Sequence, residues 1–157
     1  MEQKAAGLAV IMPAFNAGKY IEKAVRSILE QTYRDLRLIV VDDGSTDDTA
    51  QILRRIQQQD GRLSPISVPN GGPALARNRG LEAVEPETRY VMFADADDEL
   101  LPDAVEYAMA EAEGADMVFF GFTIVDAAGR QRNYCEPEQL LDRETLRSAF
   151  GRLYKAN

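Results

Sequence analysis

The chain reads as an α/β protein with a mostly parallel central sheet flanked by helices. Three observations predict this. Short apolar runs recur along the sequence, each stopped by turn or polar residues. Segments of helical period separate them. Short links join each run to the next helix, and strands alternating with helices close most simply as right-handed parallel crossovers. At 157 residues, 45% of them hydrophobic, one domain is expected, burying roughly two-thirds of the surface its unfolded chain exposes.

Leu8-Ala9-Val10-Ile11-Met12 is continuously apolar and is stopped by Pro13, as suits a strand buried on both faces. Beyond the turn residues Asn16-Ala17-Gly18, Tyr20, Ile21, Ala24, Val25, Ile28 and Leu29 recur at helical spacing, which makes Tyr20 a core residue. Leu36 to Val41 is the second strand. Ser45 and Asp48 behind it have capping-box spacing, opening a helix from about Thr46 to Gln59 with Ile52, Leu53 and Ile56 inward. Leu63 to Val68 is a third strand, and its Pro65 favours an edge position because it cannot donate to a second neighbour.

Asn70-Gly71-Gly72-Pro73 leads into a helix over Ala74 to Val84, with Pro73 in the first turn, where its missing N–H is not needed. Tyr90 to Ala94 is the fourth strand, and Pro102 opens a helix through about Ala112. Met117 to Val125, including Phe119 and Phe120, reads as a fifth strand. Ala127 to Gln139 reads as a polar loop, and Arg143 to Leu153 as a further helix.

Charge and composition narrow the chemistry. The formal charge of −8, from 26 acids against 18 Lys and Arg, argues against a nucleic-acid partner, whose phosphates need a local surplus of positive charge. A nucleotide remains compatible, provided a metal ion and local arginines reverse the sign inside the site. The sequence has no histidine, so imidazole catalysis and His-ligated zinc are excluded within it. Cys135 is alone, which removes intrachain disulfides, and its polar surroundings carry no thiolate-activating pattern. No apolar run approaches the ~20 residues of a membrane span, and Met1 to Gly7 lacks the hydrophobic stretch of a secretion signal, so a cytoplasmic location is expected.

Three polar clusters follow three of the strands: Pro13 to Asn16, Asp42 to Asp48, and Asp95 to Asp98. A parallel sheet returns all of them to its carboxyl edge, where open α/β folds bind ligands. In extended geometry Asp95 and Asp97 point the same way with Ala96 between them facing the other, and carboxylates so held repel unless they share a proton or a cation. Magnesium or manganese accepts such oxygen ligands and bridges to phosphates. The plainer reading of Asp95 to Asp98 is a solvated turn whose Asp98 helps cap the next helix.

Asp42 and Asp43 are adjacent acids at a strand end, suited to accepting hydrogen bonds from a pyrimidine N–H or ribose hydroxyls, whereas Ser45 and Thr46 are explained by helix capping alone. Arg77 and Arg79 lie near the start of the next helix. Either could offset diphosphate charge, or snorkel from a surface; Arg79 could pair with Glu82 or Glu85. Phe15 in the first loop could lie against a base.

The succession Val10-Ile11-Met12-Pro13-Ala14-Phe15-Asn16, Gln31-Thr32-Tyr33, Val40-Val41-Asp42-Asp43-Gly44-Ser45-Thr46-Asp47-Asp48-Thr49, Asn70-Gly71-Gly72-Pro73 with Ala76-Arg77-Asn78-Arg79-Gly80, and Asp95-Ala96-Asp97-Asp98 resembles the family 2 glycosyltransferases of the Rossmann-like GT-A fold. The resemblance runs from about Ala9 to Asp103. It implies transfer of a sugar from a nucleotide diphosphate donor, with UDP-sugars favoured, to an acceptor hydroxyl on a sugar or glycan, with inversion and with Mn2+ or Mg2+. On this resemblance Asp43 contacts the base with Asp42 close by, and Pro13 and Phe15 flank the nucleotide. Arg77 stands near donor phosphates or sugar. Asp95 and Asp97 form the Asp-x-Asp metal pair, the first approaching sugar or ribose and the second coordinating the ion.

One departure matters. The acceptor-activating base of this family lies after the Asp-x-Asp motif, in a domain ordinarily running past 200 residues, and no segment beyond Asp126 matches it. Glu136, Glu138 and Glu144 lack the family context. Residues 1–157 are therefore expected to be the nucleotide-sugar-binding part of a GT-A domain truncated on its C-terminal side, with no catalytic base assigned and with peripheral membrane association left to the missing part. A donor-binding fragment without turnover is the main alternative. A phosphohydrolase of the Asp-x-Asp type is remote, since it places that motif at the first strand and needs a downstream lysine, and Lys155 is the only one beyond it.

Overall fold

A computed structural model describes residues 6–118, 121–126 and 128–134. The chain divides after Glu113 into two compact units. The first contains β1 (Leu8–Ala14), α1 (Ile21–Leu29), β2 (Leu36–Asp42), α2 (Thr49–Gln57), β3 (Leu63–Ser67), α3 (Pro73–Glu82), β4 (Tyr90–Phe93) and α4 (Ala104–Glu111). Its strands form one parallel sheet in the order β3-β2-β1-β4. β3 takes the edge that Pro65 called for.

β1 and β2 are apolar on both faces because both faces are covered. Val10, Met12, Leu38 and Val40 join Ile21, Val25 and Ile28 of α1 and Leu53 and Ile56 of α2 in the larger core. Ala9, Ile39 and Val41 face Ala76 of α3 in the smaller one. Each fully buried Ile or Leu among them contributes about 1.5–3 kcal/mol. α3 approaches β1 closely at Gly80, where an added Cβ would collide with Cγ2 of the buried Ile11.

Several boundaries differ from expectation, each for a physical reason. β1 does not stop at Pro13 but continues to Ala14, paired with Asp42 of β2. The Ile11 carbonyl accepts the Ala94 N–H (3.1 Å), so residues of that parity, Pro13 included, face β4, which has already ended at Phe93. The missing N–H costs the β1–β2 ladder no bond and ends the β1–β4 ladder. Tyr20 is 46% exposed and stands at the N-cap of α1, its ring under the Lys19 ammonium, so it lies outside the core. α2 starts at Thr49 rather than Thr46, and neither Ser45 nor Asp48 caps it with a side chain.

The second unit contains a hairpin of β5 (Phe122–Val125) and β6 (Gln131–Tyr134), antiparallel and closed by an Asp126–Arg130 turn. The expected fifth strand is thus shorter than Met117 to Val125, and the polar stretch after it contains a strand. β5 is exposed throughout, and Thr123 donates to Asn133 across the pair (2.9 Å). With Phe122 to Val125 and Gln131 to Asn133 all exposed, these residues carry no burial alternation to read. Phe119, Phe120, Cys135, Glu136, Glu138, Glu144 and the helix expected at Arg143 to Leu153 lie outside the described residues. Among the described residues no helix is long and apolar enough to cross a membrane.

Ser45, expected in a capping box with Asp48, instead joins Thr46, Asp47 and Thr49 in tying two loops together. The Asn16 N–H donates to Ser45 Oγ (2.9 Å), and Asn16 Oδ1 accepts from the Thr46 N–H (2.9 Å). The Ala17 N–H donates to Thr49 Oγ1 and the Gly18 N–H to Asp47 Oδ2, both at 2.9 Å. Asp47 Oδ1 accepts from the Thr49 N–H (3.0 Å) and hydroxyl (2.5 Å). The hydroxyl and N–H of Thr49, then the N–H of Gly18, hold the Asp47 carboxyl below its ordinary range.

Two expectations follow from these contacts. Gly80→Ala would gain about 1 kcal/mol as a free helix position, but the collision with Ile11 should leave a net loss of about 1–3 kcal/mol in urea denaturation; a stabilised variant would contradict the α3–β1 approach. Because the folded pKa of Asp47 is depressed, the stability it supplies is complete above its ordinary value of 3.8 and lost as pH falls through the lowered value. Wild type should therefore exceed Asp47→Asn in urea midpoint near neutrality, with the gap closing as the acid limb is descended; a pH-independent gap would refute the linkage.

Candidate functional site

The parallel sheet delivers the ends of β1, β2 and β4 to one edge. β2 and β4 are not neighbours, since β1 lies between them, which sets their ends about 10 Å apart at ordinary strand spacing. The chain order reverses at β1, making this the switch point at which open α/β sheets form ligand crevices. Pro13 and Phe15 sit in the middle of this edge, Pro13 half-buried and Phe15 53% exposed.

Asp42 and Asp43, each only 3% exposed, accept from backbone donors. Asp42 Oδ1 accepts from the Ser45 N–H (3.0 Å). Asp43 Oδ1 and Oδ2 accept from the N–H groups of Gly71 (2.8 Å) and Gly72 (2.7 Å), so its carboxylate spans from β2 to the start of α3. Gly44 makes the approach feasible: its φ is +74°, and a Cβ there would lie 2.9 Å from the Asn70 nitrogen. Buried carboxylates require such partners, and a carboxylate has about four lone-pair sites, so Asp43 retains acceptor capacity for a ligand.

The second acid group is arranged differently. Asp95 to Asp98 is a turn closed by the Asp98 N–H on the Asp95 carbonyl (3.2 Å), not an extension of β4. Ala96 is buried against the larger core and Asp95, Asp97 and Asp98 are exposed, so the inward and outward sides are as expected while the extended geometry is not. Arg77 of α3 donates to Asp95 Oδ1 (2.6 Å). Arg79 pairs with Glu82 (2.8 Å) on the helix surface, away from this role. Partial desolvation, then the charges of Asp97 and Asp95, push the Asp98 carboxyl above its ordinary range.

That repulsion is the field a cation would relieve. Among the described residues no three His, Cys, Asp or Glu side chains are arranged to hold an ion by themselves. Hard oxygen donors too few to complete a shell nonetheless suit Mg2+ or Mn2+, which keep waters and substrate phosphates as their remaining ligands. The residues fit a metal shared with a diphosphate.

The Gly71 and Gly72 donors were hidden in a turn signal, and the loop ties of Asn16 and Asp47 in a capping signal. Gln31, fully buried, had a legible sign in its helical spacing from Ile28. A groove of about 500 Å³ lined by Val68, Pro69, Asn70, Leu75 and Arg79 opens beside the Asp43 clamp. It does not contain the second acid group, and the chemistry is better located by the converging carboxylates than by this concavity.

Comparison with known proteins agrees with the geometry. The family model of Glycosyl transferase family 2 matches residues 9–154. Glycosyltransferase GlyG of Streptococcus pneumoniae is 36% identical over 114 residues, covering 71% of this chain and 37% of the relative. A GalNAc(5)-diNAcBac-PP-undecaprenol beta-1,3-glucosyltransferase of Campylobacter jejuni is 37% identical over 124 residues, covering 78% and 40% respectively. The chain thus spans about two-fifths of the length of these relatives. Among solved structures, S. aureus TarS 1–349 in complex with UDP superposes with a TM-score of 0.62 at 30% identity, covering 68% of this chain and 32% of that one. The mannosyltransferase PcManGT from Pyrobaculum calidifontis, in complex with GDP-Man and Mn2+, gives 0.60 at 30% identity, covering 76% and 35%. The converging strand ends, the matched residues and these likenesses have one conclusion: the chain belongs to glycosyl transferase family 2, with the GT-A fold.

Proposed function

We propose that residues 1–157 form the donor-binding part of a metal-dependent, inverting glycosyltransferase that moves a sugar from a nucleoside diphosphate, with uridine the favoured base, to an acceptor hydroxyl. The observation that carries this reading is the pairing of two unlike acid groups at one sheet edge. One is buried and held by backbone donors; the other is exposed and self-repelling, with a single arginine on Asp95. The TarS complexes with UDP and with UDP-GlcNAc, and the PcManGT complex with GDP-Man and Mn2+, support the donor class.

In this reading Asp43, with Asp42 beside it, accepts an N–H of the base, while Pro13 and Phe15 flank the nucleoside. Asp95 orients sugar or ribose. Arg77 has five N–H donors in a planar fork, so it can keep Asp95 and still face a phosphate oxygen. Asp97, with Asp95, would hold Mn2+ or Mg2+, whose chemistry when bound is to stabilise charge growing on the leaving diphosphate. The acceptor oxygen attacks the anomeric carbon as its bond to phosphate breaks, and the hydroxyl proton passes to a base that no described residue is assigned to be. Transfer is proposed for the whole protein, and donor binding for the described residues; a donor-binding fragment without turnover is the alternative reading.

Calorimetry with UDP and GDP, with and without Mn2+, tests this. UDP should bind at least about tenfold more tightly with Mn2+, and Asp97→Asn should lose that increment while its unfolding free energy in urea stays within about 0.5 kcal/mol of wild type, as at an exposed site. Nucleotide affinity unchanged across a metal titration would rule the assignment out. Hydrolysis of several nucleotide sugars by the same protein separates an active transferase from a donor-binding fragment.

A further inference from the structure

Among the described residues, Gln31 is a buried polar side chain to which sugar transfer assigns no role. It follows the end of α1 and is fully enclosed. Its Nε2 donates to the carbonyls of Ser27 (2.9 Å) and Leu101 (2.6 Å), and its Oε1 accepts the Val105 N–H (2.9 Å). Two carbonyls need donors and one N–H needs an acceptor, so a single orientation of the amide satisfies all three. Neighbouring bonds run between the same segments: the Thr32 N–H to the Pro102 carbonyl (2.9 Å), the Leu100 N–H to Ser27 Oγ (3.1 Å), and the Thr32 hydroxyl to Glu106 (2.6 Å).

These contacts grip the chain where it leaves the acid turn, whereas β1 grips it where it enters, through the Ala94 N–H on the Ile11 carbonyl. Between these two grips the turn is held by Ala96 against the core and by Arg77 on Asp95, while Asp97 and Asp98 are exposed. We propose that Gln31 is a positioning residue for the Asp95–Asp98 turn: its amide fixes the landing point of the chain, and so the geometry in which the turn's carboxylates meet a cation and a diphosphate. The role of the turn rests on the donor-binding reading; the anchor itself does not.

The test uses the same chain with Gln31→Met, similar in shape but unable to make the three bonds. Gln31→Glu keeps an acceptor for Val105 and turns the donors into oxygens facing two carbonyls. Ile56→Val, in the core under α2, serves as the stability control. In the metal-free protein, the amides of Asp98, Leu100 and Val105 should exchange hydrogen at least about tenfold faster in Gln31→Met, with β1 and β2 amides changing no more than in the control. The Mn2+-dependent gain in UDP affinity should fall about tenfold or more, while metal-free UDP affinity stays within about twofold.

Exchange matching the control, or a retained Mn2+ gain in a variant whose turn has loosened, would overturn the proposal. Should Gln31→Met not fold, Gln31→Glu carries both measurements. Wild-type protein without any Mn2+-dependent UDP binding would sink the donor reading instead, and being read from the wild type alone it is distinguishable from a failure of Gln31.

Discussion

The carboxylate of Asp43 holds this architecture at its working edge. Two N–H groups, from Gly71 and Gly72, converge on it from the start of α3, each a charge-assisted bond of the kind worth about 1.5–3 kcal/mol. The same residue donates its own N–H to the Ala14 carbonyl (2.8 Å), so it also fastens the ends of β1 and β2. With the head of α3 fixed there, its body settles against β1 at Gly80, and Arg77 is carried to Asp95. A single side chain thus relates the two acid groups although nothing links them directly.

The groups differ in a way that divides labour. Asp42 and Asp43 are buried and satisfied by backbone donors that cannot move without dismantling a loop. Asp95, Asp97 and Asp98 lie exposed in one turn, and of the three only Asp95 is met by the Arg77 guanidinium among the described contacts. The first pair offers shape and fixed acceptors; the second offers unsatisfied negative charge. In a protein of net charge −8, the proposed donor reading needs a cation at this edge, because an anionic ligand is repelled by unneutralised carboxylates.

Strand order of appearance, helix placement and the edge position of β3 were legible in the sequence, because apolar runs and Pro65 report burial and hydrogen bonding directly. The acid clusters were legible too, since adjacent carboxylates at a strand end repel each other and persist only where donors or a cation hold them. Their local geometry was not. Ser45 and Asp48 read as a cap by spacing, but the side chains of Ser45, Thr49 and Asp47 accept from the N–H groups of Asn16, Ala17 and Gly18, and no local pattern encodes contacts about 30 positions away. Tyr20 fits the helical period yet precedes the helix, and β6 begins with three exposed polar residues, Gln131 to Asn133, that give no apolar strand signal. Gln31 matched a known motif, but its partner at Leu101 is 70 residues distant.

Pro13 has a consequence beyond its place in β1. In the register of β1 and β4, the next rung would run from the N–H of residue 13 to the carbonyl of Ala94, and proline has no hydrogen to give. The zipper between these strands is therefore ended by covalent chemistry rather than by the marginal energetics of fraying. The acids peel away from the sheet at one defined point, whatever thermal motion does to the loop beyond it.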